Sequence, residues 1–224
     1  MIRSVLLPFA LLLVALSCSA QEEESRAYVA GTHYDVIDRP VARTAPRDKI
    51  EVAEFFWYGC GHCYTFEPML QEWKKNRSDD VAVRPIPAVW REVMELHARA
   101  YYAAEALGKL DTLHPAIFQA MHVDGKQLNS EAEIAGLFAE HGVSAEEFEV
   151  FNSFGVSSQV RQALAAAKGA GLTGTPSMMV EGKYLITSRK AGSQAGMLDV
   201  AEFLVEKERA SQGRASQGRA AQAD

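Results

Sequence analysis

Residues 55–64 read FFWYGCGHCY, and this decapeptide holds two of the chain's three cysteines. A β-rich run (KIEVAEFF, residues 49–56) leads into it, and apolar residues recur behind it at Phe66, Met69, Leu70 and Trp73. The pattern is a strand, a tight turn and a helix, with Cys60 and Cys63 at the junction. Such a pair fits half of a tetrahedral zinc site or a reversible dithiol. Zinc needs two further soft or imidazole ligands, and no second C-x-x-C exists. His97, His114, His122 and His141 fall in a helical region without a compact ligand pair, and with His33 they read as ordinary surface or core residues. No metal and no external cofactor is expected; the redox group would be the Cys60–Cys63 disulfide itself. Three cysteines are too few for a stapled scaffold, so the fold has to rest on a hydrophobic core. At 48% hydrophobic and 23% charged, the chain can build one, and a formal net charge of -6 offers no electrostatic basis for nucleic-acid binding.

Both ends are set apart from the folded body. Arg3 and the apolar run 5–16 read as an export signal, too short for a membrane span, with small residues suited to cleavage after Ala20. The signal segment is therefore 1–20; the alternative is lipidation at Cys18, which would anchor the exported protein. Residues 210–224 (ASQGRASQGRAAQAD) repeat small and polar residues and are expected to form a disordered tail.

Between these ends the periodicity changes several times. Runs 28–37 and 49–56 read as β, 64–75 as a helix kinked at Pro68, and 81–83 as a short strand closed by Pro85 and Pro87. Residues 91–153 carry no strand pattern: two helical stretches are followed by the capping boxes Ser130-x-x-Glu133 and Ser144-x-x-Glu147. An Ala-rich helix at 158–168, β-rich runs at 177–180 and 184–187, and a helix at 193–209 complete the body. The order predicts an α/β fold with one mixed sheet, built from residues 26–87 and 154–209, and an inserted all-helical domain at 88–153. A strand and helix joined at C-x-x-C is the layout of a thioredoxin-like redox unit.

The chemistry follows from the positions. In disulfide exchange the attacking and leaving species is a thiolate. Cys60 falls at a helix N-terminus, where unpaired N–H groups and the helix dipole favour an anion. His62 can add positive charge or a hydrogen bond within the same turn. Cys63, one helical turn on, is the inward, resolving partner. Glu54 sits in a strand of Ile, Val, Ala and Phe, where burial would raise its pKa and suit it to accept a proton from Cys63; the bland reading is a solvated acid like Glu51. Trp57 and Tyr58, if exposed beside the cysteines, would offer an apolar surface to unfolded chains. Met178 and Met179 suit either that surface or the core.

Three segments, EFFWYGCGHCYTFEP, the helical block and TGTPSMMVEGKY, together resemble the DsbA family of exported thiol:disulfide oxidoreductases over nearly all of residues 28–209. Gly61-His62 stands where that family usually has Pro-His, and is more typical of protein disulfide isomerase domains. The resemblance implies a periplasmic dithiol oxidase that donates the Cys60–Cys63 disulfide to reduced, unfolded exported proteins. It also implies reoxidation by a DsbB-like quinone-linked membrane partner, a buried glutamate at Glu54, and a cis Thr175–Pro176 bond. Thr175 and Pro176 would then pair with substrate backbone. The alternatives are a disulfide isomerase or reductase, and a non-catalytic peptide-binding chaperone. Few residues precede the active-site strand, which leaves no room for the dimerisation domain of such isomerases, so a monomer is expected.

Overall fold

The computed structural model describes residues 28–220, with side chains described to residue 213. The expected signal segment 1–20, with Cys18, and residues 221–224 lie outside the described residues. In chain order the elements are β1 (Asp35–Val36), β2 (Ile50–Phe56), α1 (Gly61–Lys75), β3 (Val81–Pro87), α2 (Glu92–Ala106), α3 (Leu110–His122), α4 (Glu131–Glu140) and α5 (Ala145–Phe148). A 3-10 turn (Glu149–Asn152) leads to α6 (Phe154–Gly169), β4 (Ser177–Val180), β5 (Tyr184–Thr187), α7 (Ser188–Ala191) and α8 (Gln194–Ala220). The five strands form one mixed sheet in the order β1-β5-β4-β2-β3. β2 is parallel to β3 and antiparallel to β4. Every residue of β2 is buried, as its near-continuous apolar run requires of a strand covered on both faces.

Alternation along β2 divides the core. Ile50 and Val52 pack with Phe66 and Leu70 of α1 and with Met197, Val200, Ala201 and Leu204 of α8. Ala53 and Phe55 face the other way, into a cluster holding Val160, Ala163 and Ala167 of α6 and the buried residues of α2, α3 and α4. Glu54 shares the parity of Val52, so its side chain is directed under α1. The helices between β3 and α6 are the all-helical insertion. Ser144 and Glu147 make the full reciprocal capping box. At α4 only half of it forms: Ser130 Oγ accepts from the Glu133 N–H, while Glu133 Oε2 reaches the Asn129 N–H.

Four sequence expectations need correction. Residues 28–37 contain only the two-residue β1, because Gly31 takes φ +81° and turns the chain back, donating its N–H to Tyr34 O at 2.7 Å. β3 is not closed by its prolines but runs through Pro87. It is an edge strand, and the sites of the missing N–H groups face away from β2. The 210–224 tail is not set off at Arg209, since α8 continues to Ala220. Once a long helix is nucleated, each added residue gains a hydrogen bond, and Ala, Gln and Arg extend it at little cost. Glu51, read as solvated, is 1% exposed.

Glu51 is buried because it is fully engaged. Its Oε2 accepts the N–H groups of Thr44 and Ala45, both at 2.7 Å, and its Oε1 accepts from Arg84 at 3.1 Å. Glu181, 4% exposed, accepts the Glu51 N–H at 2.7 Å and pairs with Arg43. The loop 39–48 is thereby tied to the β4–β5 hairpin. At that hairpin Gly182 takes φ +66°, and a Cβ there would stand 2.1 Å from Val41 O.

Burial pushes the Glu51 pKa up, but the Thr44 and Ala45 N–H groups and Arg84 outweigh it, and the carboxyl sits below the usual range. A depressed acid contributes stability above its unfolded pKa, about 4.3, and loses it as pH falls through the folded value. Glu51→Gln should therefore cost roughly 2 kcal/mol at pH 7. Thermal unfolding of both proteins should show the gap closing towards pH 3; a gap independent of pH would contradict the assignment.

Candidate active site

The turn between β2 and α1 builds the site. Cys60 N–H donates to Trp57 O at 3.0 Å, closing a four-residue turn with Tyr58 and Gly59 at its centre. Gly59 is required sterically, since a Cβ would lie 2.4 Å from the Trp57 ring. Cys60 then serves as the N-cap of α1, with φ -94° and ψ 111°. Its Sγ accepts the Cys63 N–H at 3.4 Å and meets the Thr175 carbonyl at 3.3 Å. The Thr175–Pro176 bond is cis, as expected. Strand, helix and loop thus converge on one sulfur.

Both cysteines are free thiols, and their surroundings differ sharply. The Cys63 thiol's hydrogen bond does most to lower the Cys60 pKa, working against partial burial. Thr175 and the N–H groups of Cys63 and His62 add to it, and Cys60 is held down to about 5. Cys63 is fully buried; that burial, with the bond to Cys60 and its charge, pushes the Cys63 thiol far up. Glu54 is 1% exposed, and both its carboxyl oxygens lack a hydrogen-bond partner. Burial, then the charges of Glu67 and Cys60, raise its pKa well above the usual range and favour its neutral form.

The other predicted residues divide. Thr175 and Pro176 line a cleft of 520 Å³ with Leu185, Thr187, Arg189 and Lys190. The His62 side chain is exposed, and its share in lowering the Cys60 pKa comes through its amide. Its carbonyl accepts from Gln194 Nε2 at 2.6 Å, tying α1 to the start of α8. Tyr58 is not an exposed apolar surface: it is 0% exposed, its hydroxyl 2.7 Å from His114 Nδ1 and its ring against Phe56 and Phe118. The turn after β2, not strand alternation, sets that ring's direction, placing it in the cluster with Ala53 and Phe55. Trp57 is half-buried, and its Nε1 donates to His97 Nδ1 at 2.9 Å. Met178 and Met179 are both core residues.

Three of the histidines expected to be ordinary surface or core residues line the turn before Cys60. His97, His114 and His122, all from the insertion, contact Trp57, the Tyr58 side chain and the Tyr58 carbonyl respectively. They come from α2 and α3, so no local spacing announces them. Glu67 could have been found, since it lies four residues after Cys63 on the same face of α1. Burial raises its pKa, but bonds to His114 and Gln71 outweigh this and leave it lowered. Among the described residues no cluster of three or more His, Cys, Asp or Glu is placed to hold a metal ion.

Comparison with known proteins agrees with this geometry. Residues 84–197 match the family model described as a DSBA-like thioredoxin domain. The chain is 37% identical over 201 residues to the thiol:disulfide interchange protein DsbA of Azotobacter vinelandii, covering 89% of this chain and 94% of that one. To the Pseudomonas aeruginosa protein of the same name it is 35% identical over 210 residues, covering 93% and 98%. Spans of that length necessarily include Cys60, Cys63, Thr175 and Pro176. The crystal structure of Pseudomonas aeruginosa DsbA superposes with a TM-score of 0.77 at 36% identity, over 83% of this chain and 97% of that chain. The Xylella fastidiosa oxidoreductase DsbA gives 0.75 at 36%, over 81% and 98%.

The contrast between the two thiols sets an expected labelling pattern. In the reduced, folded protein, iodoacetamide should modify Cys60 with a rate midpoint near pH 5, and Cys63 only after unfolding. Equal labelling of both, read by peptide mass spectrometry, would contradict the asymmetry.

Proposed function

We propose, since this chain belongs to the DSBA-like thioredoxin domain family and is a thiol:disulfide oxidoreductase, that it is an exported dithiol oxidase acting on newly translocated proteins. The observation that carries the reading is the unequal pair: a half-exposed sulfur at a helix N-cap and a buried one a turn behind it. In the oxidised enzyme a substrate thiolate attacks Cys60 Sγ, forming a mixed disulfide and breaking the Cys60–Cys63 bond. Cys63 leaves as a thiolate in a site that strongly disfavours its charge, and Glu54, protonated and directed under α1, supplies the proton. A second substrate thiolate then attacks the substrate sulfur and expels the Cys60 thiolate, a good leaving group because of its low pKa. The substrate loses two electrons and the enzyme gains them.

The cleft beside Thr175 and Pro176 is where we place the substrate backbone, with the Thr175 carbonyl next to the reacting sulfur. Re-formation of the disulfide is assigned to a DsbB-like, quinone-linked membrane oxidase, with Glu54 taking the proton back from Cys63. Export to the periplasm rests on the signal segment 1–20, with lipidation at Cys18 as the anchored alternative. No helix among the described residues is long and apolar enough to cross a membrane. Gly61-His62 between the cysteines favours a second reading, a disulfide isomerase or reductase, which differs in redox poise and not in the roles of the two sulfurs.

Trapping tests these roles. Cys63→Ser should accumulate mixed disulfides through Cys60, because no internal thiol remains to release the substrate. Cys60→Ser should accumulate at least tenfold fewer, roughly the contrast expected between an exposed thiolate and a buried thiol. Equal trapping on non-reducing gels would overturn the assignment of Cys60 as the attacked sulfur.

A further inference from the structure

His122, the last residue of α3, lies between the two sides of the cysteine motif. Its Nε2 is 2.7 Å from the Tyr58 carbonyl, and its ring stacks on Tyr64 with centroids 4.8 Å apart at 13°. A carbonyl can only accept, so Nε2 carries the hydrogen and donates. The Tyr58 carbonyl belongs to the central peptide of the Trp57–Cys60 turn, the peptide whose reversal interconverts the two common turn types. One of those types needs a positive φ at the third residue, a conformation open mainly to glycine. Gly59 occupies that position without a positive φ.

The turn therefore holds two opposing requirements. The Trp57 ring covers residue 59 so closely that only glycine fits, and glycine removes the steric bar to reversal of the preceding peptide. Trp57 cannot swing away to relieve this, because His97 Nδ1 accepts from its Nε1. His97 Nε2 in turn lies 3.1 Å from Leu128 O and donates to it. Something other than residue 59 has to select one orientation of the central peptide.

We propose that His122 is a positioning residue that locks the Tyr58–Gly59 peptide and so sets the geometry of Cys60. Reversal would turn the carbonyl away from the His122 donor and bring an N–H towards it. It would also alter the approach of the chain to the N-cap, where Cys60 Sγ faces the Cys63 N–H and Thr175 O. In this way a residue of the inserted helices acts on the redox centre through the backbone of the turn that leads into it. This inference rests on the reading of Cys60 as the attacked cysteine.

Two variants separate the hydrogen bond from the packing. His122→Phe keeps the ring against Tyr64 but has no donor; His122→Gln loses the ring but places a donor at similar reach. The Cys60 thiolate is followed by its ultraviolet absorbance against pH, and the redox equilibrium is measured in glutathione buffers. His122→Phe should raise the Cys60 midpoint by about half to one pH unit and move the equilibrium roughly three- to tenfold towards oxidised enzyme, the scale of one lost hydrogen bond. His122→Gln should stay near wild type. An unchanged midpoint in His122→Phe, equal shifts in both variants, or a fall in melting temperature with neither readout moved would each overturn the role of His122. If the wild-type protein itself shows no thiolate midpoint near pH 5, the reading of Cys60 fails instead.

Discussion

The sulfur of Cys60 is held where three separately folded pieces of backbone meet: the turn leaving β2, the first turn of α1, and the loop carrying the cis Thr175–Pro176 bond. None of these pieces is near the others by accident. β2 and β4 are antiparallel neighbours, with Phe55 opposite Ser177, so the end of one strand and the start of the other meet at the same edge. α1 lies across that edge because Phe66 and Leu70 are buried against β2 and α8, each worth about 1.5–3 kcal/mol. Core packing thus fixes the helix N-terminus beside the loop to within the reach of a hydrogen bond. The chemistry uses what that packing leaves unsatisfied, the free N–H groups of a first helical turn.

The same packing separates the two thiols. A helical step of three residues carries the chain from the rim at Cys60 to the buried interior at Cys63. Stabilising one thiolate and destabilising the other is a single consequence of where α1 begins. The insertion contributes in a different way. Three of its four histidines grip Trp57 and Tyr58, and those two residues fix the path of the chain into Cys60.

Much of this was legible in the residue order. The apolar run of β2, the helical spacing behind it and the C-x-x-C between them specify a strand, a turn and a helix. The Val, Ala and Phe around Glu54 point to a buried acid, but the same strand's Glu51, read as solvated, is just as buried. What could not be read depended on context beyond the local chain. Pro85 and Pro87 end an interior strand but are tolerated in β3 because its other edge is unpaired. Gly31 shortened β1 through one backbone angle. Tyr58 looked like a surface aromatic because its partners, Phe118 and His114, lie more than fifty residues away in α3. The helix at 210–220 reflects propagation from α8, which no reading of the repeat by itself can supply.

If the fold stabilises the reduced enzyme through the Cys60 thiolate, thermal unfolding of the reduced and oxidised protein compared across pH should show it. Cys60 is a depressed acid, so its contribution is complete above the unfolded thiol value of about 8.5 and fades as pH falls through about 5. The reduced form should be more stable than the oxidised one by on the order of 2 kcal/mol at pH 7. That difference should shrink steadily on acidification and be lost below pH 5. A reduced form no more stable than the oxidised form at pH 7 would contradict it, and would favour the poise of a reductase or isomerase over that of an oxidase.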